Sequence, residues 1–172
     1  MVTLLDKGGD RENIRNWWPI TFLNTDYKMI SKLLANGTKQ ILRKLIHSDQ
    51  KGFVEGRNIS EGNRIIDDII NYVDEEDQEG ILVFVDQEKA YDKVKWGWVN
   101  HVIKGFNLGS KFCGWIQMLF KNAKTCIKTH GFISTFFSLT RSARHGCSVA
   151  PKLYSLQAEP MTCVIRGTDE IK

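Results

Sequence analysis

Apolar doublets fall at Met29 and Ile30, Leu33 and Leu34, Ile41 and Leu42, then Leu45 and Ile46. That spacing lays one stripe along a helix. The rung between them falls on Gly37 and Thr38, and a mid-helix Gly costs about 1 kcal/mol relative to Ala, so the helix is expected to fray or bend there. SEGNRIIDDIINYVDEEDQEG repeats the pattern through Ile65, Ile66, Ile69, Ile70 and Val73, with Ser60 as N-cap and Gly80 as the stop. The unbroken apolar run ILVFV, residues 81 to 85, reads as a strand buried on both faces. Helical patterns follow over Val94 to Phe106 and Ser110 to Asn122, separated by NLGS. TCIKTH and STFFSLT flank GFI and predict a hairpin or a pair of strands. After the loop RSARHGCSVAP, a mostly helical pattern from Pro151 through Ile165 is interrupted by Pro160. Helices alternating with strands predict an α/β or α+β layer architecture.

The 172 residues, 42% hydrophobic and 26% charged, suffice for one domain with a core and exclude a disordered chain. No apolar run approaches the ~18 residues of a membrane span. The N-terminus turns charged by Asp6, so no secretory signal is expected and the chain reads as soluble and intracellular, nucleus or cytoplasm being left open. Cys113, Cys126, Cys147 and Cys163 lack zinc-site spacing and read as buried free thiols. Net charge +4 conceals an asymmetry: Lys93 to Arg166 holds eleven Lys or Arg against Glu159 alone, whereas Ser60 to Asp92 holds eleven acids against Arg64 and Lys89. A basic half of this kind suits a polyanion, although solvated lysines explain it equally.

Asp86 stands at the end of the apolar run and Asp92 six positions later. An acid at the tip of a buried strand calls for a cation, an ion pair or exposure at the sheet edge. The two are too far apart to chelate from one strand face, but Mg²⁺ often takes only one or two protein carboxylates and completes its shell with water and phosphates. A haloacid-dehalogenase-like phosphatase would need a second Asp, Gly and Thr where Glu88, Lys89 and Ala90 stand. DKGGD and RHGC lack the Lys-Ser/Thr ending of a phosphate loop and read as turns. None of His47, His101, His130 or His145 has a nucleophile-elbow context.

Four segments, in order, resemble the reverse transcriptase of non-LTR (LINE-type) retrotransposons: NWWPITFLNTDYKMISKLLAN (16 to 36), IHSDQKGFVEGRNISE (46 to 61), ILVFVDQEKAYDKVKW (81 to 96) and RHGCSVAP (144 to 151). The resemblance implies a right-hand polymerase fold, with fingers over residues 1 to 80, an incomplete palm with a return into the fingers over 81 to 172, and no thumb. It implies an RNA-directed DNA polymerase acting on an RNA template, a DNA primer and dNTPs. Asp86 matches the family's first catalytic, Mg²⁺-binding Asp. Tyr91 matches the aromatic gate against a ribose 2′-hydroxyl, and Ala90, His145 and Gly146 match positions around the incoming nucleotide. Arg57 and Lys51 match a glycine-containing fingers segment that contacts template or phosphate, with solvated turn residues as the alternative. Asp92 resembles the structural acid just past the gate.

The departures are specific. Trp18 stands for the family's Arg, His145 for Gln, Gln87 for an apolar residue, SVAP for Pro-Leu-Ser-Pro, and Gly37 and Thr38 for an Arg-Leu type pair. The family's Tyr/Phe-x-Asp-Asp hairpin, carrying the remaining metal carboxylates, should follow RHGCSVAP and its helix, and only Glu159, Asp169 and Glu170 are found there. The expectation is a truncated reverse transcriptase domain unable to polymerise alone, with an unpaired palm strand. Its alternatives are a catalytically dead RNA- or DNA-binding module and a mobile-element remnant without function.

Overall fold

The computed structural model describes residues 1–129, 131–144 and 146–167. Strand β1 (Val2–Asp6) turns back through Gly8 and Gly9, both at positive φ, and a short 3-10 helix (Ile14–Asn16) into β2 (Trp17–Thr21). The pair is antiparallel, with Leu5 opposite Trp18. These strands are not foreshadowed by the apolar pattern, because neither alternates cleanly and Pro19 sits inside β2. β1 also pairs in parallel with β4 (Ile127–Thr129), Val2 facing Ile127, and β4 forms a hairpin with β5 (Phe132–Ile133), which gives a sheet of order β2-β1-β4-β5. β3 (Lys124–Thr125) pairs with β6 (Phe137–Ser138) as a separate ribbon. The predicted hairpin around GFI is therefore present, with GFI itself supplying β5.

Helix α1 (Thr25–Leu45) runs unbroken through Gly37, contrary to the expected fray. The rung is filled by Thr38, which is buried and donates its hydroxyl to the carbonyls of Leu34 and Ala35, so it satisfies itself within the helix. Helix α2 (Ile59–Glu75) is capped by Asn58, whose side chain accepts from the Ser60 N–H, rather than by Ser60 itself. Helices α3 (Trp96–Gly105) and α4 (Ser110–Phe120) fall where the periodicity put them. Helix α5 (Ala150–Gly167) continues through Pro160. Proline removes one main-chain bond, but buried Leu153, Ser155, Leu156 and Glu159 hold that stretch against the core.

The core lies among α1, α3, α4 and α5, with Leu42, Ile103, Ile116 and Leu156 all but inaccessible to solvent. Trp96 stacks on Phe120 at 5.1 Å and donates its indole N–H to the Ser142 carbonyl at 2.9 Å, joining α3 to α4 and to the loop before α5. Helix α2 buries no residue, and its Ile65, Ile69 and Ile70 remain exposed.

The run Ile81–Val85 corrects the sequence expectation. It belongs to no strand, and Ile81, Phe84 and Val85 are 93%, 78% and 82% exposed. A strand requires a neighbour's N–H and C=O groups, and no strand among the described residues pairs with this run. Among the described residues no helix is long and apolar enough to cross a membrane.

Candidate functional site

Beyond the apolar run, residues 88 to 93 coil into turns in which Lys89 adopts positive φ and its carbonyl accepts from the Asp92 and Lys93 N–H groups. Lys93 pairs with Glu88 at 2.5 Å, and its hydrogen bond holds the Glu88 carboxyl below its ordinary range. Val94 then enters the core. The loop before α5 is stitched onto this segment: the Ala143 N–H donates to the Tyr91 carbonyl at 2.8 Å and the Ser142 N–H to the Val94 carbonyl at 2.9 Å. The Tyr91 segment and the loop before α5, some fifty residues apart in sequence, are thereby fixed against each other. Gly146 has φ +83°, and a side chain there would meet only the Thr21 carbonyl at 3.8 Å and Leu23 at 3.9 Å. Its left-handed backbone, rather than lack of room, calls for glycine.

Tyr91 stacks on Tyr154 of α5 at 5.2 Å, and Phe53 meets both rings edge-on at 6.2 and 6.3 Å. Phe53 is itself at φ 61° in the turn between α1 and α2. The Tyr154 hydroxyl donates to Gln87 Oε1 at 2.8 Å, and Gln87 Nε2 faces Met161 Sδ at 3.7 Å. Burial raises the Tyr91 and Tyr154 hydroxyls above the ordinary tyrosine value, and the nearby Asp86 charge raises Tyr154 further. A groove of about 450 Å³ opens beside this cluster, lined by Gln87, Glu88, Ala90, Lys93, Trp98 and Gln157 among others. Asp86 is exposed with its charge acting on Tyr154, Ala90 lines the groove, and Tyr91 belongs to the aromatic cluster beside it.

Arg57 stands apart from this cluster. Its guanidinium donates to the carbonyls of His47 (2.6 Å), Gln50 (2.8 Å), Ile46 (2.8 Å) and Arg43 (3.2 Å), closing the C-terminal end of α1. Lys51 pairs with Glu61 at 2.9 Å. Trp18 lies under the Lys7 ammonium, 5.3 Å from the ring centre. His145, Asp169 and Glu170 lie outside the described residues. Glu159 is buried, accepts from Arg166 at 2.5 Å and from the His47 N–H at 3.3 Å, and so ties α5 to the end of α1. Phe53 and Tyr154 carry no sequence signal of their own; an aromatic in a Gly-flanked turn and a tyrosine on an amphipathic helix are ordinary residues until the fold pairs them.

Among the described residues no three His, Cys, Asp or Glu side chains gather closely enough to hold a metal ion. Asp86 offers a single carboxylate, and the donor set does not by itself complete a Mg²⁺ centre.

Residues 6–171 match the family of reverse transcriptases (RNA-dependent DNA polymerases). The Transposon TX1 uncharacterized 149 kDa protein of Xenopus laevis is 31% identical over 166 residues, 96% of this chain and 13% of that protein. The Retrovirus-related Pol polyprotein from type-1 retrotransposable element R2 of Popillia japonica is 22% identical over 171 residues, 99% of this chain and 24% of the polyprotein. The chain therefore spans a small part of the length of either relative. With the match running through nearly every residue, the chain belongs to the reverse transcriptase family, as a reverse transcriptase domain of the LINE-type (non-LTR) retrotransposon proteins.

Proposed function

We propose that this chain is the fingers, residues 1–80, and an incomplete palm, residues 81–172, of a right-hand RNA-directed DNA polymerase that does not polymerise alone. In that reading Asp86 is a metal-binding catalytic carboxylate, Tyr91 backed by Tyr154 limits the sugar of an incoming dNTP, and Ala90, His145 and Gly146 border the nucleotide. The exposed run Ile81–Val85 becomes a palm strand when other strands pair with it. RNA template and DNA primer are the macromolecular partners. Arg57 supports this site indirectly, by holding the turn that carries Phe53.

The observation that supports the reading best is the stacking of Tyr91 on Tyr154 with Phe53 edge-on to both, the Asp86 charge close enough to act on Tyr154, and the loop before α5 hydrogen-bonded onto the Tyr91 segment, although separate segments supply these groups. Mg²⁺ lacks a full donor set among these residues, so the chain's own part is to place one carboxylate and the aromatic wall beside it. Primer extension on an RNA template with dNTPs and Mg²⁺ tests the proposal: the 172-residue chain is expected to add no nucleotide. Incorporation that disappears in Asp86→Asn would overturn the inactivity. A second reading, a nucleic-acid-binding module without catalysis, is favoured by the excess of cations from Lys93 to Arg166. It predicts strand binding that weakens steeply with salt and is unchanged by Asp86→Asn.

A further inference from the structure

Two apolar surfaces of opposite charge are left in water. Helix α2 presents Ile65, Ile69, Ile70 and Tyr72, all exposed. A Cβ at Gly80 would lie 3.7 Å from Val73, so the exposed run Ile81–Val85 departs from beside the end of the same helix. From Ser60 to Gly80 eight acids stand against Arg64 alone, exposed Asp67, Asp68 and Asp74 among them. The second surface belongs to the β4–β5 hairpin and to β6, where Phe132, Ile133, Phe136 and Phe137 are exposed. Lys121 to Arg141 holds four Lys or Arg, all exposed, and no acid. Lys128 stands opposite Ile133 across the hairpin, and Lys124 opposite Ser138 next to Phe137, so cations sit beside apolar area on these strands. β5 ends its sheet, and among the described residues no strand lies along its outer edge.

We infer that the acidic apolar surface of one copy docks on the basic apolar surface of a second copy of this chain. Apolar burial supplies the attraction, and charge selects the arrangement. Two α2 helices face to face would set acids against acids, and two hairpins would set cations against cations. An α2 helix against a hairpin neutralises both. The main chain is complementary as well: Ile81–Val85 has strand composition and no partner strand, and β5 has an open edge. The inference rests on surface charge and exposure, and the polymerase reading stands whether or not two copies meet.

The test is sedimentation velocity of the nuclease-treated 172-residue chain over a concentration series at low and high NaCl. Association is expected at low salt and should weaken severalfold between about 50 mM and about 500 mM, as exposed charges are screened. Asp68→Lys/Asp74→Lys and Lys124→Glu/Lys128→Glu alter exposed side chains only, and each variant by itself should associate about tenfold more weakly than wild type. An equimolar mixture of the two should recover association, because each reversed surface then meets its complement, and recovery shows that both variants fold. Wild-type association that holds or strengthens with salt would overturn the inference whatever the variants do, since apolar clustering without charge selection behaves that way. A wild-type chain that stays monomeric would overturn it too, as would a mixture of variants, folded by circular dichroism, that stays apart. Weakening in the α2 variant alone, with the hairpin variant as wild type, would assign the contact to another surface and overturn it.

Discussion

Arg57 spends its guanidinium on four carbonyls at and just beyond the end of α1, and a charged donor shared among them is a strong local tie. Arg57→Ala should lower stability by about 2 kcal/mol, read from the denaturation midpoint, and loosen the turn that holds Phe53. The sequence marks Arg57 only as a cation in a glycine-containing segment, because carbonyl partners are main-chain groups and leave no residue type to read. Asp86 and Tyr91 stand out as candidates for the opposite reason: the acid ends an apolar run, and the resemblance to the family motif marks the tyrosine. Three tyrosine hydroxyls are raised above the ordinary value of 10.0, each by burial first, Tyr27 furthest. The folded state therefore keeps protons that the unfolded chain gives up, so stability is intact below about pH 10 and falls as pH climbs beyond it. Denaturation midpoints across that range check the sign, and Tyr27→Phe should make the fall shallower.

At the scale of elements, α1 shows how a periodicity can be right and its interruption misread. Thr38 fills the expected gap with a hydroxyl bonded inside its own helix, and Gly37 faces open solvent where an added Cβ meets nothing within 4 Å. Gly37→Ala should stabilise the chain by about 1 kcal/mol, measured as a higher unfolding midpoint, since only backbone entropy is at stake. Helices were legible because their stripes follow from local spacing. The strands were less so: β3 to β6 are two or three residues long, and β1 finds β4 across most of the chain. The run Ile81–Val85 has strand composition without strand structure, since composition cannot provide a neighbour.

Over the whole molecule, the described core is one-sided: α1, α3, α4 and α5 close around it, while α2 and Ile81–Val85 leave a broad apolar surface in water. Exposed apolar side chains in such numbers favour association. The chain should bind an apolar dye such as ANS strongly and associate as its concentration rises in sedimentation. Val83→Lys with Phe84→Lys should reduce both without moving the unfolding midpoint, because neither side chain reaches the core. The parallel pairing of Val2 with Ile127 carries a consequence of another kind, one of timing. During synthesis at about 5–20 residues per second, β1 waits roughly 6–25 s before its β4 partner is made. In that interval its main chain, paired on one side by β2 at best, is open to chaperones, to wrong edges and to nascent copies on neighbouring ribosomes.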